Sequence, residues 1–473
     1  MDREQAEAIY DSGREACVKF ILELAGTARQ HEDRLKRLEE QARQDSRTSS
    51  KPPSSDPPKT RAERRAEARA KAKELMRRER ERRAQGGQPG HRGAGRDLKP
   101  EDQVDEIVDH YPDACGGCGR WFDDEQRCAA GRFGRHQVFE LPPISVIVTE
   151  HRTHQLRCRY CRARTSARLP ELLASSAFGP RLQAAVVTLI ARHRISRRGI
   201  CELALDLFGV TLSSGAVDAI CQRASDALAG PHCQLQDWVL DQDAVHVDET
   251  GWRTRGEGRA LWTATTPEAT FLQIAQHCNR EQFTALIGAY SGILVSDRWN
   301  GYSHLDPHQR QVCWSHLQRD FRRHTDGLGE QQTFGEQGLK LTRRVFAAWR
   351  AYQHEHHDRR KLQAEIAPIQ TELRALLDQA SPKKARNRWH RQFANNLLKI
   401  WPALWTFVTV QGVEPTNNPA ERALRAPVIH RKVSLGTQSN HGERFTERAL
   451  SAAATCRQQR RSLFTYLSDL IIA

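Results

Sequence analysis

Residues 244–276, AVHVDETGWRTRGEGRALWTATTPEATFLQIAQ, carry the strongest β-strand pattern in the chain. Apolar, aromatic and β-branched side chains concentrate in three short runs: Ala244–Val247, Arg259–Thr265 and Thr270–Gln276. Runs of this composition that follow one another closely are typical of paired strands. The stretch therefore predicts three consecutive antiparallel strands.

After this stretch the pattern changes to alternating helix and strand. It predicts a helix at Arg280–Ala289, a buried strand at Gly292–Ser296, and a short apolar piece at Gln311–Trp314 that leads into another helix. Three antiparallel strands followed by this alternation is the order of a ribonuclease-H-like core. From Phe334 to about residue 400 the sequence is charged and helical, without a strand candidate.

Two aspartates occupy matching positions in this predicted sheet. Asp248 ends the first strand in VHVDETGWR (245–253), and Asp297 follows the buried strand in ILVSDRWNGY (293–302). A single aspartate in such a place more often caps the strand end. Two at the ends of adjacent core strands can share divalent cations. Glu249 is a rival ligand, but neighbouring residues on a strand point to opposite faces, which favours Asp248.

Glu421 is the third candidate acid, in EPTNNPAERALR (414–425). Asn417 or Asn418 could cap a helix that Pro419 opens, which places Glu421 in the first turn. A first-turn glutamate favoured only by the helix dipole is the alternative. Two Mg²⁺ ions about 3.5–4 Å apart, held by three carboxylates, could stabilise both oxygens of an in-line phosphodiester displacement.

Four of the twelve cysteines form two C-x-x-C knuckles, Cys115–Cys118 and Cys158–Cys161. Two such pairs suit one tetrahedral structural zinc ion, with unliganded reduced cysteines as the alternative. Cys128 is a spare thiol, and the knuckles are far apart in the sequence. Strand-like alternation at Val138–Leu141 and Ile144–Thr149 lies between them.

Charge and length limit the class of protein. The chain has 473 residues, too many for one ordinary compact domain, and a formal net charge of +15. DNA, RNA and an anionic membrane surface all fit this charge. No apolar run approaches the ~20 residues of a membrane-spanning helix, and the N-terminus lacks a signal-peptide pattern. We therefore expect a cytosolic protein without a membrane partner.

The first hundred residues are polar and basic. Ser46–Pro58 has the composition of a linker, Lys59–Arg83 is a basic arm for which phosphate contact is favoured over a solvated face, and Gln85–Gly95 is a turn-rich connector. A loose apolar stripe in residues 1–45 fits either a coiled-coil oligomerisation helix or an ordinary amphipathic helix. The stripe consists of Phe20, Ile21, Leu24, Ala28, Leu35 and Leu38.

A helix-turn-helix pattern precedes the predicted sheet. Ile200–Phe208 and Ser214–Ala224 have helical periodicity, and Gly209–Ser213 supplies a tight turn and an N-cap. This pattern fits a DNA-binding motif and a plain helical hairpin equally well.

These motifs together resemble the insertion-sequence 66 family of bacterial transposases. The resemblance extends over most of the chain from about residue 85 and is carried by GGQPGHRG (86–93), the knuckles, HVDETGWR (246–253), SDRWNGYSHL (296–305), CWSHLQRDF (313–321) and TNNPAERALRAPVIHRK (416–432).

The resemblance implies roles for individual residues. Asp248, Asp297 and Glu421 would be the catalytic Asp–Asp–Glu triad and the magnesium ligands. Cys313 and His316 are similar to the C-x-x-H motif of several transposase groups. Arg425, Arg431, Lys432 and His316 are assigned to DNA contact.

The resulting fold prediction is a multidomain α+β protein: a ribonuclease-H-like α/β catalytic core, interrupted by a helical insertion and preceded by a four-cysteine zinc domain and a helical DNA-binding region. The predicted divisions are an N-terminal helix (1–45), a basic linker and arm (46–100), the zinc domain (101–175), the helix-turn-helix-like region (176–240), the first core part (241–325), the insertion (326–405) and the second core part (406–473).

The predicted function is DNA strand cleavage and 3′-hydroxyl strand transfer at insertion-sequence ends, with two Mg²⁺ or Mn²⁺ ions and a structural Zn²⁺. The expected partners are double-stranded DNA (terminal inverted repeats and target), at least one further copy of the chain, and companion proteins of the element. The expected location of the protein is the bacterial cytoplasm, at the nucleoid. A nuclease that cuts without joining and a non-catalytic zinc-containing DNA-binding regulator are the alternatives.

Overall fold

The computed structural model describes residues 10–28 apart from 16 and 24, and residues 31, 97–128, 131, 134–354, 358–382 and 388–472. Its described residues form two compact units: those between Pro58 and Ser145, and all the others. The predicted linker, basic arm and connector (46–95) lie outside the described residues, as do Leu24, Leu35 and Leu38 of the apolar stripe. None of the described helices is both long and apolar enough to cross a membrane.

The two strands predicted between the knuckles are wrong. Residues 134–154 contain no strand, and Val138 and Ile147 are 79% and 95% exposed. An alternating apolar pattern becomes a strand only where a second strand accepts its backbone hydrogen bonds. The described residues around this segment offer none. The nearest strands, β1 (Gln155–Arg157) and β2 (Arg164–Ser166), instead form a hairpin with each other.

Four consecutive helices lead into the main sheet: α1 (Pro180–Ala191), α2 (Arg197–Phe208), α3 (Ser214–Ala227) and α4 (Ala229–Leu240). Gly209 ends α2 in the left-handed region, with φ of 65°, which glycine adopts without a steric penalty. Ser213 caps α3 by accepting a hydrogen bond from Ala216 N. The predicted sequence of helix, glycine turn and capped helix is therefore confirmed.

The main sheet has five strands: β3 (Ala244–Thr254), β4 (Glu257–Thr265), β5 (Thr270–Ala275), β6 (Ile293–Ser296) and β7 (Arg310–Val312). Their order across the sheet is β5-β4-β3-β6-β7. β4 is antiparallel to both of its neighbours, whereas β3, β6 and β7 are parallel to one another. The three consecutive antiparallel strands are confirmed, although β3 is longer than predicted because its second half continues to pair with β4.

The remaining helices connect and cover this sheet. Between β5 and β6 lies α5 (Arg280–Ile287), and α6 (Trp314–Thr325) follows β7. The long charged stretch forms α7 (Glu330–His354), α8 (Arg359–Ala380) and α9 (Arg388–Lys399), without a strand among its described residues. The chain ends with α10 (Asn418–Ser434), α11 (Asn440–Gln458) and α12 (Leu463–Ile472). The described part is thus a mixed α+β structure.

Helix α11 protects the open edge of β5. The amides of Thr270, Leu272 and Ile274 donate to Thr455 Oγ1, Ser451 Oγ and Glu447 Oε1 at 3.1, 2.9 and 2.6 Å, respectively. Two residues along a strand advance by about 6.6 Å and four residues along a helix by about 6 Å. The donors on β5 and the acceptors on α11 therefore have nearly the same spacing. Edge amides that could otherwise recruit another strand are thereby paired.

The two faces of the sheet pack into different cores. Trp252, Leu261 and Leu272 pack on one face with α1–α3, α11 and α12, and Leu424 of α10 joins this cluster. Val247 and Trp262 pack on the other face with α5. Alternate residues of β3 therefore face α10 and α5, which decides where its acidic side chains point.

Candidate functional site

Asp248 and Asp297 lie at the same level of two neighbouring parallel strands. β3 and β6 pair His246 with Val295, and continuing this register by two residues brings the two aspartates side by side. The sequence predicts that Asp248 ends its strand. This prediction is wrong, because β3 continues to Thr254. Asp248 lies where the parallel part of the sheet ends, a place we call the carboxyl edge.

Cys313 extends this line onto the third parallel strand. Ser296 pairs with Val312, so Cys313 is the counterpart of Asp297, and Cys313 N donates to Ser296 O at 2.9 Å. The carboxyl edge thus presents two acids and a buried thiol from three adjacent strands.

The rival acid, Glu249, lies on the opposite face of β3 from Asp248. Its carboxylate accepts a hydrogen bond from Tyr302 at 3.0 Å, and Tyr302 belongs to the core on the α5 face. Asp248 is on the alternate set of β3 residues, with His246 and Trp252, which faces α10. The expectation that Asp248 and Glu249 face opposite sides of the sheet is therefore confirmed.

The start of α10 is fastened to the carboxyl edge by hydrogen bonds. Asn417 Nδ2 donates to Val247 O at 2.7 Å, Asn417 Oδ1 lies 3.2 Å from His246 Nδ1, and Asn417 N donates to Cys313 Sγ at 3.2 Å. Trp314 N also donates to Pro415 O at 2.8 Å. Two distant parts of the chain are joined at this point.

Glu421 occupies the first turn of α10, as predicted. The predicted side-chain cap is wrong, however: Asn417 holds the N-cap position but makes no side-chain capping bond. Its side-chain amide instead donates to Val247 O of β3. This is a tertiary contact, and local sequence rules do not predict such contacts. The local pattern gave the position of the helix and missed the role of the asparagine.

Glu421 is surrounded by cationic and metal-binding side chains. Its Oε1 lies 3.7 Å from His316 Nδ1 and 3.6 Å from Arg319 Nη2. The atom is buried and, among the described residues, has no hydrogen-bond partner. The ligand atoms of Cys313, His316 and Glu421 all lie within 4.8 Å of one another, so these residues could hold a metal ion.

The acids at the carboxyl edge affect one another electrostatically. Burial raises the pKa of Asp248 well above its usual range, and the charges of Glu249, Asp297 and Glu421 raise it further. Burial also raises the pKa of Asp297, although a hydrogen bond from Trp299 N opposes this. Burial and the charge of Asp297 raise the pKa of Glu249 to about 7. Anions that destabilise one another in this way are stabilised by a bound cation.

Both histidines beside the site are neutral near pH 7. Burial lowers the pKa of His246 to about 4. Burial and the charge of Arg319 lower that of His316 to about 4. The neutral imidazole has a free lone pair, which is the form that binds metals.

The residues assigned to DNA contact differ in exposure. Arg425 and Lys432 are exposed on α10. Arg431 is half-buried and donates from Nη1 to Thr250 Oγ1 at 3.3 Å. The His316 side chain is only 12% exposed and lies against Glu421. Arg425 and Lys432 are therefore the two residues of this set that a DNA phosphate can reach directly from solvent.

The two cysteine knuckles have the same backbone geometry. In each, the amide of the first cysteine donates at 2.8 Å to the residue five positions later, Arg120 O or Ala163 O. The residue four positions later has a positive φ, 74° at Gly119 and 61° at Arg162. Backbone N–H groups from within each turn lower the pKa of Cys115 and of Cys158. Each knuckle is thus shaped to present thiolates, and the joint four-cysteine site stays a prediction.

Sequence reasoning missed the roles of His246, Asn417 and Tyr302. The adjacent asparagines at 417 and 418 were the available signal, but they suggested a helix cap. Neither the strand pattern around His246 nor the loop pattern around Tyr302 indicates which distant residue each will contact.

Two family models match different parts of the chain. The one described as Transposase IS66 family matches residues 175–444, more than half of the sequence. A family of unknown function, DUF6444, matches residues 5–97. An uncharacterized protein of Sinorhizobium fredii (strain NBRC 101917 / NGR234), y4hP, is 21% identical over 411 residues, which cover 79% of this chain and 72% of that protein. The first match contains Asp248, Asp297, Glu421, Cys313 and His316.

Proposed function

Because this chain belongs to the IS66 transposase family, we propose that it is a DDE transposase, which cleaves DNA at insertion-sequence ends and joins the freed 3′-hydroxyl to target DNA. One observation carries the proposal. The register of β3 and β6 brings Asp248 and Asp297 to the same level, and Glu421 lies close enough for its charge to raise the pKa of Asp248. The catalytic acids would be these three.

The five-stranded sheet would be a ribonuclease-H-like core. The order β5-β4-β3-β6-β7, in which only β4 runs against the others, supports this assignment. The helices α7, α8 and α9 would be the insertion between the second aspartate and the glutamate. Such an insertion lengthens the chain between the acids without disturbing the sheet, because both of its ends return to the same core.

The three acids would hold two Mg²⁺ or Mn²⁺ ions. Oxygen ligands suit these cations. Oε1 of Glu421 is buried and has no hydrogen-bond partner among the described residues, so it is available as a ligand atom. When bound, the ions supply charge stabilisation to the attacking and leaving oxygens of a phosphodiester displacement. The raised pKa of Asp248 also fits a cation site, since the same groups repel one another when no cation is present.

Other residues of the chain would orient these acids and the DNA. Trp299 N donates to Asp297 Oδ1 at 2.8 Å, and Arg310 Nη2 donates to the Asp297 carbonyl at 3.3 Å. Both contacts fix the position of Asp297. Arg425 and Lys432, exposed on the helix that carries Glu421, would contact the phosphates on either side of the cleaved bond.

The partner would be double-stranded DNA, both terminal repeats and target. The helix-turn-helix α2–α3 and the basic arm would add contacts to the terminal repeats, and the four knuckle cysteines would bind a structural Zn²⁺. Joining two element ends requires at least two copies of the chain, and companion proteins of the element could take part. A DNA-processing role would place the protein in the bacterial cytoplasm, at the nucleoid.

The test is incubation of the full-length protein with end DNA and Mg²⁺, with nicked and joined products measured separately. Asp297→Asn, Asp248→Asn and Glu421→Gln should each abolish both products while retaining DNA binding. Asp326→Asn and Glu336→Gln are matched controls, because both side chains are exposed and neither is among the residues of the site.

The products also separate this proposal from its alternatives. Nicks without joined products would indicate a nuclease. DNA binding without any metal-dependent product would indicate a regulator. Full activity of Asp297→Asn would refute the assignment of the triad.

A further inference from the structure

A compact group of metal-binding side chains lies beside the proposed catalytic acids. It consists of Cys313, His316 and Glu421, whose ligand atoms are all within 4.8 Å of one another. His316 Nδ1 and Glu421 Oε1 are 3.7 Å apart. Both atoms are buried and lack a hydrogen-bond partner among the described residues. Leaving two buried polar atoms without a hydrogen bond is costly, and one ion bound by both would remove that cost.

The fold holds these three residues in place. Cys313 is the N-cap residue of α6, and His316 follows three positions later, so one helical turn brings both side chains to the same side. Glu421 approaches from α10, whose start is fixed to the same cysteine by the bond from Asn417 N to Cys313 Sγ. The ligands therefore come from two elements that are already joined.

The donor set selects the class of metal. Mg²⁺ prefers oxygen ligands, whereas one thiolate, one imidazole and one carboxylate suit Zn²⁺. Three protein ligands would leave the fourth tetrahedral position for water. The cysteine would lose its proton to the solvent on binding, as thiol ligands do.

We propose that Cys313, His316 and Glu421 form a Zn²⁺ site, separate from the cysteine knuckles, and that zinc bound there inhibits the enzyme by keeping Glu421 from the catalytic ions. The inhibitory part rests on the proposed catalytic role of Glu421; the binding part does not. The catalytic ions, held by oxygen ligands, and the zinc ion, held partly by a thiolate, would thus compete for the carboxylate of Glu421.

Arg319 is the cation that zinc would replace beside Glu421. Its Nη2 lies 3.6 Å from the same Glu421 oxygen, and its side chain is 27% exposed. Without zinc, the guanidinium balances part of the charge of Glu421. Zinc would replace that cation, and Arg319 can turn towards solvent. A zinc ion would also repel a second divalent cation at the adjacent aspartates.

The binding part is tested by counting zinc. The full-length protein, Cys313→Ser and His316→Gln are equilibrated with a small excess of Zn²⁺, and bound metal is measured after gel filtration. We expect the unchanged protein to hold one equivalent more than either variant. With Co²⁺ instead, the spectrum of the unchanged protein minus that of Cys313→Ser should show a thiolate-to-cobalt band. Cys233→Ser, an exposed thiol on α4, is the matched control and should lose neither.

Equal zinc content in all four proteins would overturn the site. Cys313 is buried, so its variant must first be shown to be folded by thermal unfolding and circular dichroism. His316→Gln retains the buried thiol and keeps the test valid if Cys313→Ser does not fold. Binding to Glu421→Gln should also be weaker, because it removes the third ligand.

The inhibitory part is tested with Mg²⁺-dependent cleavage at increasing Zn²⁺. Each protein is compared with its own zinc-free rate. The zinc concentration for half inhibition should rise about tenfold or more in Cys313→Ser, as expected for loss of a metal contact, and should stay unchanged in Cys233→Ser. Zinc that binds but does not inhibit would overturn this part. If no protein cleaves DNA at all, the proposed function fails while the zinc count still tests the site.

Discussion

Asn417 donates a hydrogen bond from its side-chain amide to the carbonyl oxygen of Val247, at 2.7 Å. Val247 directly precedes Asp248 on β3, and Asn417 lies one helical turn before Glu421 on α10. A single buried amide thus joins the strand that carries one acid to the helix that carries another. We therefore expect the distance between the carboxylates of Asp248 and Glu421 to depend on this hydrogen bond.

Asn417→Ala should therefore reduce both stability and catalysis. The change leaves Val247 O and His246 Nδ1 without their partner, and an unsatisfied buried polar group costs about 1–3 kcal/mol. Urea unfolding should detect that loss, and the cleavage assay should show a lower maximal rate at saturating Mg²⁺. Asn396→Ala, an exposed asparagine on α9, should change neither. A stable variant with a normal rate would show that Asn417 does not position the acids.

Asp248→Asn should stabilise the magnesium-free protein at pH 8. The folded-state pKa of Asp248 is raised, so the folded protein retains this proton to higher pH than the unfolded chain. The contribution of Asp248 to stability therefore falls as the pH rises above the ordinary aspartate value of about 4. We therefore expect the variant to have a higher free energy of unfolding than the unchanged protein at pH 8.

Thermal unfolding at pH 5 and pH 8 checks this expectation. The difference between Asp248→Asn and the unchanged protein should shrink at pH 5, and added Mg²⁺ should stabilise only the unchanged protein. Asp326→Asn serves as the control. A variant that is less stable than the unchanged protein at pH 8 without magnesium would contradict the repulsion among the acids.

Ser451→Ala should destabilise the fold through the edge of the sheet. Ser451 Oγ accepts the bond from Leu272 N at 2.9 Å, and the variant leaves that buried amide unpaired, at a cost of about 1–3 kcal/mol. Ser291→Ala changes an exposed serine and should stay within about 0.5 kcal/mol. Chemical denaturation measures both. Equal stabilities would mean that water or another group replaces the serine.

The knuckles should lose zinc together if they share one ion. Cys115→Ser and Cys158→Ser should each remove the same one equivalent of tightly bound zinc, and the double variant should remove no more. Cys128→Ser should retain all of it, since Cys128 is outside both pairs. Metal content after dialysis against zinc-free buffer gives the answer. Additive losses in the double variant would instead assign each knuckle its own ion.

Arg425→Gln should weaken DNA binding at all sequences and reduce the slope of its salt dependence by about one counterion. The residue is exposed on α10, where a contact to phosphate is electrostatic and independent of base sequence. Arg374→Gln, on α8 and paired with Asp378, is the control. Binding measured at several salt concentrations distinguishes the two, and an unchanged slope would remove Arg425 from the DNA surface.

The local sequence was enough for the features that depend on neighbouring residues. The three strands of 244–276, the glycine turn between α2 and α3, and Glu421 in the first turn after Pro419 all follow from periodicity, caps and backbone preferences. The strands expected at Val138–Leu141 and Ile144–Thr149 failed under the same rules. A strand needs a partner, and the pattern of one segment contains no information about whether a partner exists.

The sequence by itself determined which acids were available and on which elements they lie. Only the tertiary structure decided that β3 and β6 are in a register that aligns Asp248 with Asp297, that Asn417 bonds to β3 instead of capping its helix, and that His316 lies against Glu421. The physical reason is that these contacts join residues far apart in the sequence, so they depend on how whole elements pack and not on the preferences of any short segment.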